Sequence, residues 1–301
     1  MSAQNDNSSD SAQAVTLERP SLAAQNFRLF LQNPGAVGGI IFMLLITISA
    51  ILAPWLTPFE PHEIDVQAIR KPPSAEHWLG TDLTGRDMLS RILHGGRVSL
   101  LIGLAAVIIR TAIGLVLGSV SGYFGGVVDF GVQRVVDIMI VFPDIFFLLI
   151  VIAIIGPTPW TLLIALGFLS WPFDARIFRS QVLSIRELDY ILAARSIGTT
   201  TGRIVRQHVM PNLVPLVLVN MTLNIGVAII AEAGISFLGL GVQPPTPSWG
   251  NMITSANNLS LIQRFWWLWV PPGGVLVGTV ISLNLIGDAL RDILDPRWRA
   301  S

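Results

Sequence analysis

Four polar side chains stand where the surrounding sequence is strongly apolar. Asn220, Asn224 and Glu232 recur at multiples of four residues, with Ala228 filling the remaining step. That spacing puts them on one face of a helix. Arg110 stands in the middle of another apolar run. Such groups are costly in hydrocarbon unless they meet protein partners or water. The stripe and Arg110 therefore read as the lining of a translocation path. A helix–helix contact through hydrogen bonds is the other reading of the stripe. For Arg110 it is a structural ion pair with Asp129, Asp137, Asp144 or Glu232.

Catalysis finds no such support. No nucleophile, base and orienting group form a recognisable set, so no catalytic residue is expected. His62, Glu63, His77, Asp82 and His94 include metal-ligating types, but their spacing matches no ligand pattern. There is no cysteine, which excludes disulfides and thiolate metal sites. The single lysine, Lys71, precedes Pro72-Pro73, so the chain has no Gly-Lys-Ser/Thr phosphate loop. No cofactor is expected in this chain. If ATP drives it, another subunit binds the nucleotide.

These side chains need elements to hold them, and the composition says what kind. Apolar residues make up 52% of the 301 and charged residues 13%, with a mean hydropathy of +0.64. A soluble domain would carry about 25% charged residues, so too few polar groups remain to cover a water-soluble core. The formal net charge is zero, which gives no electrostatic footprint for nucleic acid.

Six apolar stretches are long enough to cross roughly 30 Å of hydrocarbon. They cover about 36–56, 98–122, 127–155, 160–182, 213–240 and 265–290. Pro143-Asp144 breaks the regularity of the third, and Pro172 kinks the fourth. The fold class is an all-α polytopic membrane protein with six transmembrane helices. Residues 1–34 read as an N-terminal arm closing in an amphipathic turn around Phe27–Leu31. Residues 35–56 form the first span, and 57–97 a polar segment with a short interfacial helix around Leu89, Ile92 and Leu93. Residues 98–290 form a core of five spans, and 291–301 a tail tethered by Asp288, Arg291 and Asp292. Arg134 and Asp137, one turn apart, read as a local ion pair. Trp266, Trp267 and Trp269 fit an interfacial belt.

Between the fourth and fifth spans lies a long polar interval, Glu187 to Asn212. Ala193, Ala194 and Ile197 fit one face of a short helix. Gly198 can end it, because glycine takes positive φ at low cost. Ile204, Val205 and His208 start a second helical turn, which Pro211 interrupts. With Arg186, Arg195, Arg203 and Arg206 the interval is a compact basic elbow, able to dock a soluble partner.

Ala193-Ala194, then Gly198, then Pro211 thirteen positions on, resemble the EAA loop of binding-protein-dependent ABC importers. The resemblance implies coupling helices within residues 186–212, seated in a groove of an ATPase subunit. Ala193, Ala194, Arg195, Ser196, Gly198, Arg203, His208 and Pro211 are then the coupling residues. Leu192 stands where the family has Glu, and the ending His208-Val-Met-Pro211 replaces the usual Ile-x-Leu-Pro. Three further segments are similar to the C-type permease subunit of dipeptide, oligopeptide and nickel importers. They are Leu79-Gly-Thr-Asp-Leu-Thr-Gly-Arg-Asp-Met-Leu-Ser-Arg91, Gln243-Pro-Pro-Thr-Pro-Ser-Trp-Gly250 and Asn284-Leu-Ile-Gly-Asp-Ala-Leu-Arg-Asp-Ile-Leu-Asp-Pro296. The resemblance covers about residues 35–299.

It implies a type I ABC importer permease fold in a bacterial or archaeal cytoplasmic membrane. The implied partners are a second, related permease, two ATPase subunits that bind ATP and Mg, and an extracytoplasmic substrate-binding protein. The implied cargo is short peptides, with nickel chelates, opines, glutathione or other small solutes as alternatives within the family. An ATP-independent channel or secondary transporter is the reading from another class. Against it, the chain shows no internal repeat with paired broken helices. With both termini inside, 12 basic residues fall on the cytoplasmic side and 6 outside, which favours that orientation. The outer segment is unusually basic for its side. A docking surface and simple tolerance both account for that.

Overall fold

The computed structural model describes residues 28–256 and 258–294. Helix α1 covers Pro34–Ile51, started by Asn33, whose side chain accepts from the Ala36 N–H at 3.1 Å. Helix α2 covers Met88–Phe124 and packs against helices that precede it and several that follow it in the chain. Helix α3 (Gly126–Val141) and helix α4 (Asp144–Ile155) meet at a bend of 82°. Helices α5 (Pro159–Leu169) and α6 (Trp171–Arg186) continue one another as a single span. Helix α7 is short, Asp189–Ser196. Helix α8 runs over Thr201–Phe237, α9 over Trp249–Thr254 and α10 over Val270–Leu294. Five helical runs are long and apolar enough to cross a membrane, and the bent α3–α4 pair makes a sixth.

The bundle has two distinct ends. At one, residues 57–87 meet the segment after α8: Trp267 Nε1 donates to the Thr81 carbonyl at 3.2 Å, and Trp249 Nε1 to the Ile92 carbonyl at 3.1 Å. We call this the cap end. At the other, Arg186 Nη1 donates to the Gly122 carbonyl at 2.9 Å, beside the turn into α7. This is the elbow end.

Apolar burial alone does not hold helices together in lipid, so close backbone approach matters more there. Gly114, Gly118 and Gly122 form a stripe on α2 that faces α6. A Cβ on Gly114 would lie 2.6 Å from Asp174 Cβ, one on Gly118 2.5 Å from the Ala175 oxygen, and one on Gly122 2.9 Å from the Arg179 oxygen. Only glycine lets α6 sit this close.

Several expectations change. Residues 88–97 are not a separate interfacial helix but the first turns of α2. Asp87 caps it, accepting from the Ser90 N–H at 2.7 Å, and nothing stops it before Gly125 at φ +66°. The third stretch does break at Pro143-Asp144, and the break is sharp enough to make two helices at 82°. The fifth span starts at Thr201, and Pro211 does not interrupt it. A π-helical turn at Val205–Val209 lets the Met210 N–H reach the Val205 carbonyl. That wider turn gives room where a proline ring would crowd a regular helix. Arg134 and Asp137 do not pair: Asp137 bonds Arg176 of α6, and the Arg134 guanidinium lies 5.0 Å from the Phe130 ring centre. Of the three tryptophans, Trp267 is buried in the cap. The Phe27 end of the arm turn and the tail beyond Leu294 lie outside the described residues.

Candidate functional site

The elbow is built from a helix, a glycine turn and the first turns of α8. Gly198 sits at φ +79°. Its N–H donates to the Arg195 carbonyl at 3.0 Å, and the Thr199 N–H to the Ala194 carbonyl at 3.1 Å. This pair of bonds ends α7 and turns the chain back. Ile191 and Ile204, both buried, share a cluster with Tyr123, Val182, Ile185, Val209 and Leu213. The elbow is thereby anchored at once to α2, α6 and α8. Its other face is open: Leu192, Ala193, Arg195, Ser196 and Arg203 are exposed, and Ile197 is 83% exposed. The Arg195 guanidinium lies 5.0 Å from the Tyr123 ring centre. Asn212 Nδ2 donates to the Tyr190 hydroxyl at 3.2 Å and to the His208 carbonyl at 2.6 Å, which closes the elbow on itself. Pro211 is exposed and His208 half-buried. The expected coupling residues thus share one region, with Ala194 and His208 turned partly inward. Ile191 and Ile204 were missed as anchors, although their aliphatic type within a polar interval was a signal.

Arg110 has a partner that the sequence reading did not include. Its Nη2 donates to Asp174 Oδ1 at 2.5 Å and its Nε to Asp174 Oδ2 at 3.2 Å. The Thr111 hydroxyl adds a third bond to Oδ2 at 3.1 Å. The side chains are 11% and 0% exposed. The four carboxylates proposed as partners are engaged elsewhere: Asp129 with Arg179, Asp137 with Arg176, Asp144 with Ser170, and Glu232 with three serines. The glycine stripe was the available clue, since it calls for a helix packed tightly beside Arg110.

Glu232 is enclosed at the cap end of α8. The hydroxyls of Ser236, Ser248 and Ser99 donate to its carboxylate at 2.8, 2.9 and 3.1 Å. Each serine oxygen in turn accepts a backbone N–H, from Val242, Asn251 and Trp249 respectively. A backbone N–H can only donate, so every hydroxyl proton is aimed at Glu232. One carboxylate thus ties together α2, α8 and the cap segment before α9. Asn251 completes a capping box on α9, and its amide also bonds the Val242 and Thr246 carbonyls.

Asn220 and Asn224 lie nearer the elbow end and are bonded to each other, Asn224 Nδ2 to Asn220 Oδ1 at 3.0 Å. Asn220 also lines a cleft of about 600 Å³ between α6, α8 and α10, with Gln181, Ser184, Asn212 and Arg291 among its other polar walls. Its Nδ2 is buried without a partner among the described residues. The stripe therefore divides: Asn220 borders an open cleft, and Glu232 is sealed in packing. Arg110 lies with neither.

Several polar residues of 57–97 are consumed in local structure. Asp82 bonds Arg86 Nε at 2.7 Å and lies 3.6 Å from Arg91 Nε. Asp87 holds His77 Nδ1 at 2.9 Å. Arg97 donates to the last carbonyls of α1, Ala50 at 2.6 Å and Ile51 at 2.7 Å. The basic side chains Arg86, Arg91 and Arg97 thus have structural partners. Burial pushes the Asp82 carboxyl up, but bonds from the Arg86 and Thr84 N–H groups and the Thr84 hydroxyl, with the Arg86 charge, outweigh it and hold the group below the ordinary aspartate value. A depressed folded value means stability present above the unfolded value and lost as pH falls through the folded one. Amide protection in residues 79–87 should therefore fall on acidification below the aspartate range. In Asp82→Asn that step should be absent, as read by hydrogen exchange.

Residues 114–300 match the family described as "Binding-protein-dependent transport system inner membrane component". Residues 21–73 match the "N-terminal TM domain of oligopeptide transport permease C". The Di/tripeptide transport system permease protein DppC of Pseudomonas aeruginosa is 40% identical over 290 residues, covering 94% of this chain and 95% of the relative. The Dipeptide transport system permease protein DppC of Bacillus subtilis is 35% identical over 298 residues, covering 97% and 92%. A solved structure titled "Crystal structure of an amino acid ABC transporter with histidines" superposes with a TM-score of 0.52 at 16% identity. It covers 67% of this chain and 94% of that one, and so shares the fold.

Proposed function

The chain belongs to the family of binding-protein-dependent transport system inner membrane components, and on that premise we propose that it is one permease subunit of an ATP-driven importer of short peptides. The relatives named for dipeptide and di/tripeptide transport support that cargo. The observation that carries the coupling role is the elbow: a surface with Ile197 and three arginines outward, and Ile191 and Ile204 locked into the ends of three spans. A partner that moves this surface moves α2, α6 and α8 with it.

The elbow is read as cytoplasmic, in line with the excess of basic residues on that side, 10 against 6 even with the deeper Arg134 and Arg176 left out. Its partners are two ATPase subunits, which bind ATP and Mg. A second permease completes the path, and a substrate-binding protein delivers cargo at the cap end. Closure of the ATPases on ATP drives the elbow, the spans re-pack to accept substrate, and hydrolysis resets them. The cleft bordered by Asn220 belongs to the inner mouth of this route.

Gly198→Val tests the coupling. No atom stands within 4 Å of the added Cβ, so the change acts through the left-handed backbone, which costs a branched residue about 1–2 kcal/mol. The variant is expected to insert normally but to lose most substrate-stimulated ATP hydrolysis in the reconstituted complex. Full coupling in that variant would remove the elbow from the mechanism. Uptake by the chain alone on an ion gradient would favour a secondary transporter.

A further inference from the structure

We propose that Asp137 and Arg176 line the aqueous route and act as an exchange site for the two charged ends of a zwitterionic peptide, an inference that rests on the importer reading above. Arg176 Nη2 donates to Asp137 Oδ1 at 2.5 Å across the α3–α6 contact. The side chains are 48% and 49% exposed. Their depth makes this unusual. At 1.5 Å per residue, Arg176 lies about 15 Å along α6 from its end at Arg186, and Asp137 about 16 Å along α3 from Gly126. Those levels fall within the hydrocarbon thickness when the elbow end sits at the interface. An ion pair open to lipid tails is costly. The Arg110–Asp174 pair of the same bundle is enclosed instead. Lipid is thus an unfavourable neighbour for Asp137 and Arg176, and of the two surroundings left, water and the second permease, they are assigned to water.

The neighbouring surface fits that assignment. Ser180 continues the exposed face of α6 toward the elbow. A cleft of about 270 Å³ lined by Gln133, Arg134, Asp137 and Arg179 opens beside the pair. Beyond Asp137 the span breaks at the exposed Phe142 and Pro143, and Phe173, one turn before Arg176 on α6, is exposed too. The surface thus offers the Asp137–Arg176 pair and apolar rings, with Arg134 as a further cation and the cleft's other charges, Asp129 and Arg179, bonded to each other. In the empty route the two charges satisfy each other. A peptide carboxylate can take Arg176 while its ammonium takes Asp137, so no charge is stranded during exchange. A peptide blocked at one end can satisfy only one of them.

The chain has no cysteine, so single replacements Ser180→Cys and Phe173→Cys report directly on water. In the full complex in proteoliposomes, both are expected to react with a charged, membrane-impermeant thiol reagent. Failure of both to react, as for lipid-facing or subunit-buried positions, would overturn the proposal. ATP-driven dipeptide uptake is measured in the same vesicles, with binding-protein affinity measured separately. Losing one charge-assisted bond should cut uptake of the free dipeptide about tenfold or more in Asp137→Asn. The slower uptake of the N-acetylated peptide should be unchanged. Arg176→Gln should show the same selectivity for the C-terminal amide. Equal losses for free and blocked peptides, or no loss, would refute the exchange role. Asp137→Arg with Arg176→Asp keeps an ion pair and should restore insertion, which identifies losses due to misfolding. Absence of ATP-driven uptake in the unaltered complex would bring down the importer reading itself. Normal uptake with unaffected variants would bring down this inference alone.

Discussion

Asp174→Ala is expected to loosen the centre of the bundle more than any other single change. It strands the Arg110 guanidinium, now held by two bonds to Asp174, between α2 and α6. Breaking a buried pair by removing one partner costs about 3–5 kcal/mol, because a buried charge is left uncompensated. Purified in detergent, the variant should unfold at markedly lower temperature and be cut readily by protease between α5 and α8. Arg110→Ala should behave similarly. Arg110→Met combined with Asp174→Asn should recover much of the loss, since no charge remains and Thr111 still has an acceptor. If Asp174→Ala left thermal unfolding unchanged, the pair would not be a fastener.

Glu232→Ala carries the second large effect. Three serine hydroxyls lose their acceptor together, and each unsatisfied buried group costs about 1–3 kcal/mol. The expected total is about 3 kcal/mol or more, concentrated at the cap end. Protease should then reach the 238–248 segment, and the fluorescence of the buried Trp249 should report its loosening. Glu232→Gln should be milder. Its amide oxygen still accepts, but its N–H groups point at hydroxyls that are already donating. Unchanged protection with altered uptake would instead make Glu232 part of the path.

The spans and the elbow were legible for different reasons. Apolar run length reports membrane crossing directly. Gly198 after an Ala-Ala helix reports a turn, because few other residues take its φ. Pairing across the bundle was not legible. Asp174 lies 64 positions from Arg110, and nothing local marks it as the partner. Ser99 and Ser248 look like ordinary small polar residues until a distant carboxylate is placed between them. Arg91, His94 and Arg97 made the start of α2 resemble a polar loop. Arg91 and Arg97 instead fold back onto carbonyls of earlier segments, and His94 onto the Ser90 carbonyl within the helix. Pro211 read as a helix stop because the π-turn that accommodates it has no sequence signature.

The coupling role of residues 187–212 is tested most directly by proximity in intact membranes. Ser196→Cys and Thr200→Cys, each the sole cysteine of this chain, would be labelled with a short reagent that is thiol-reactive at one end and photoreactive at the other, and illuminated in cells expressing the whole transporter. The expected result is an adduct between each variant and an ATP-binding subunit, with a yield that changes when ATP is trapped. No adduct at either position, or labelling of these cysteines only by reagents confined to the outside, would contradict it.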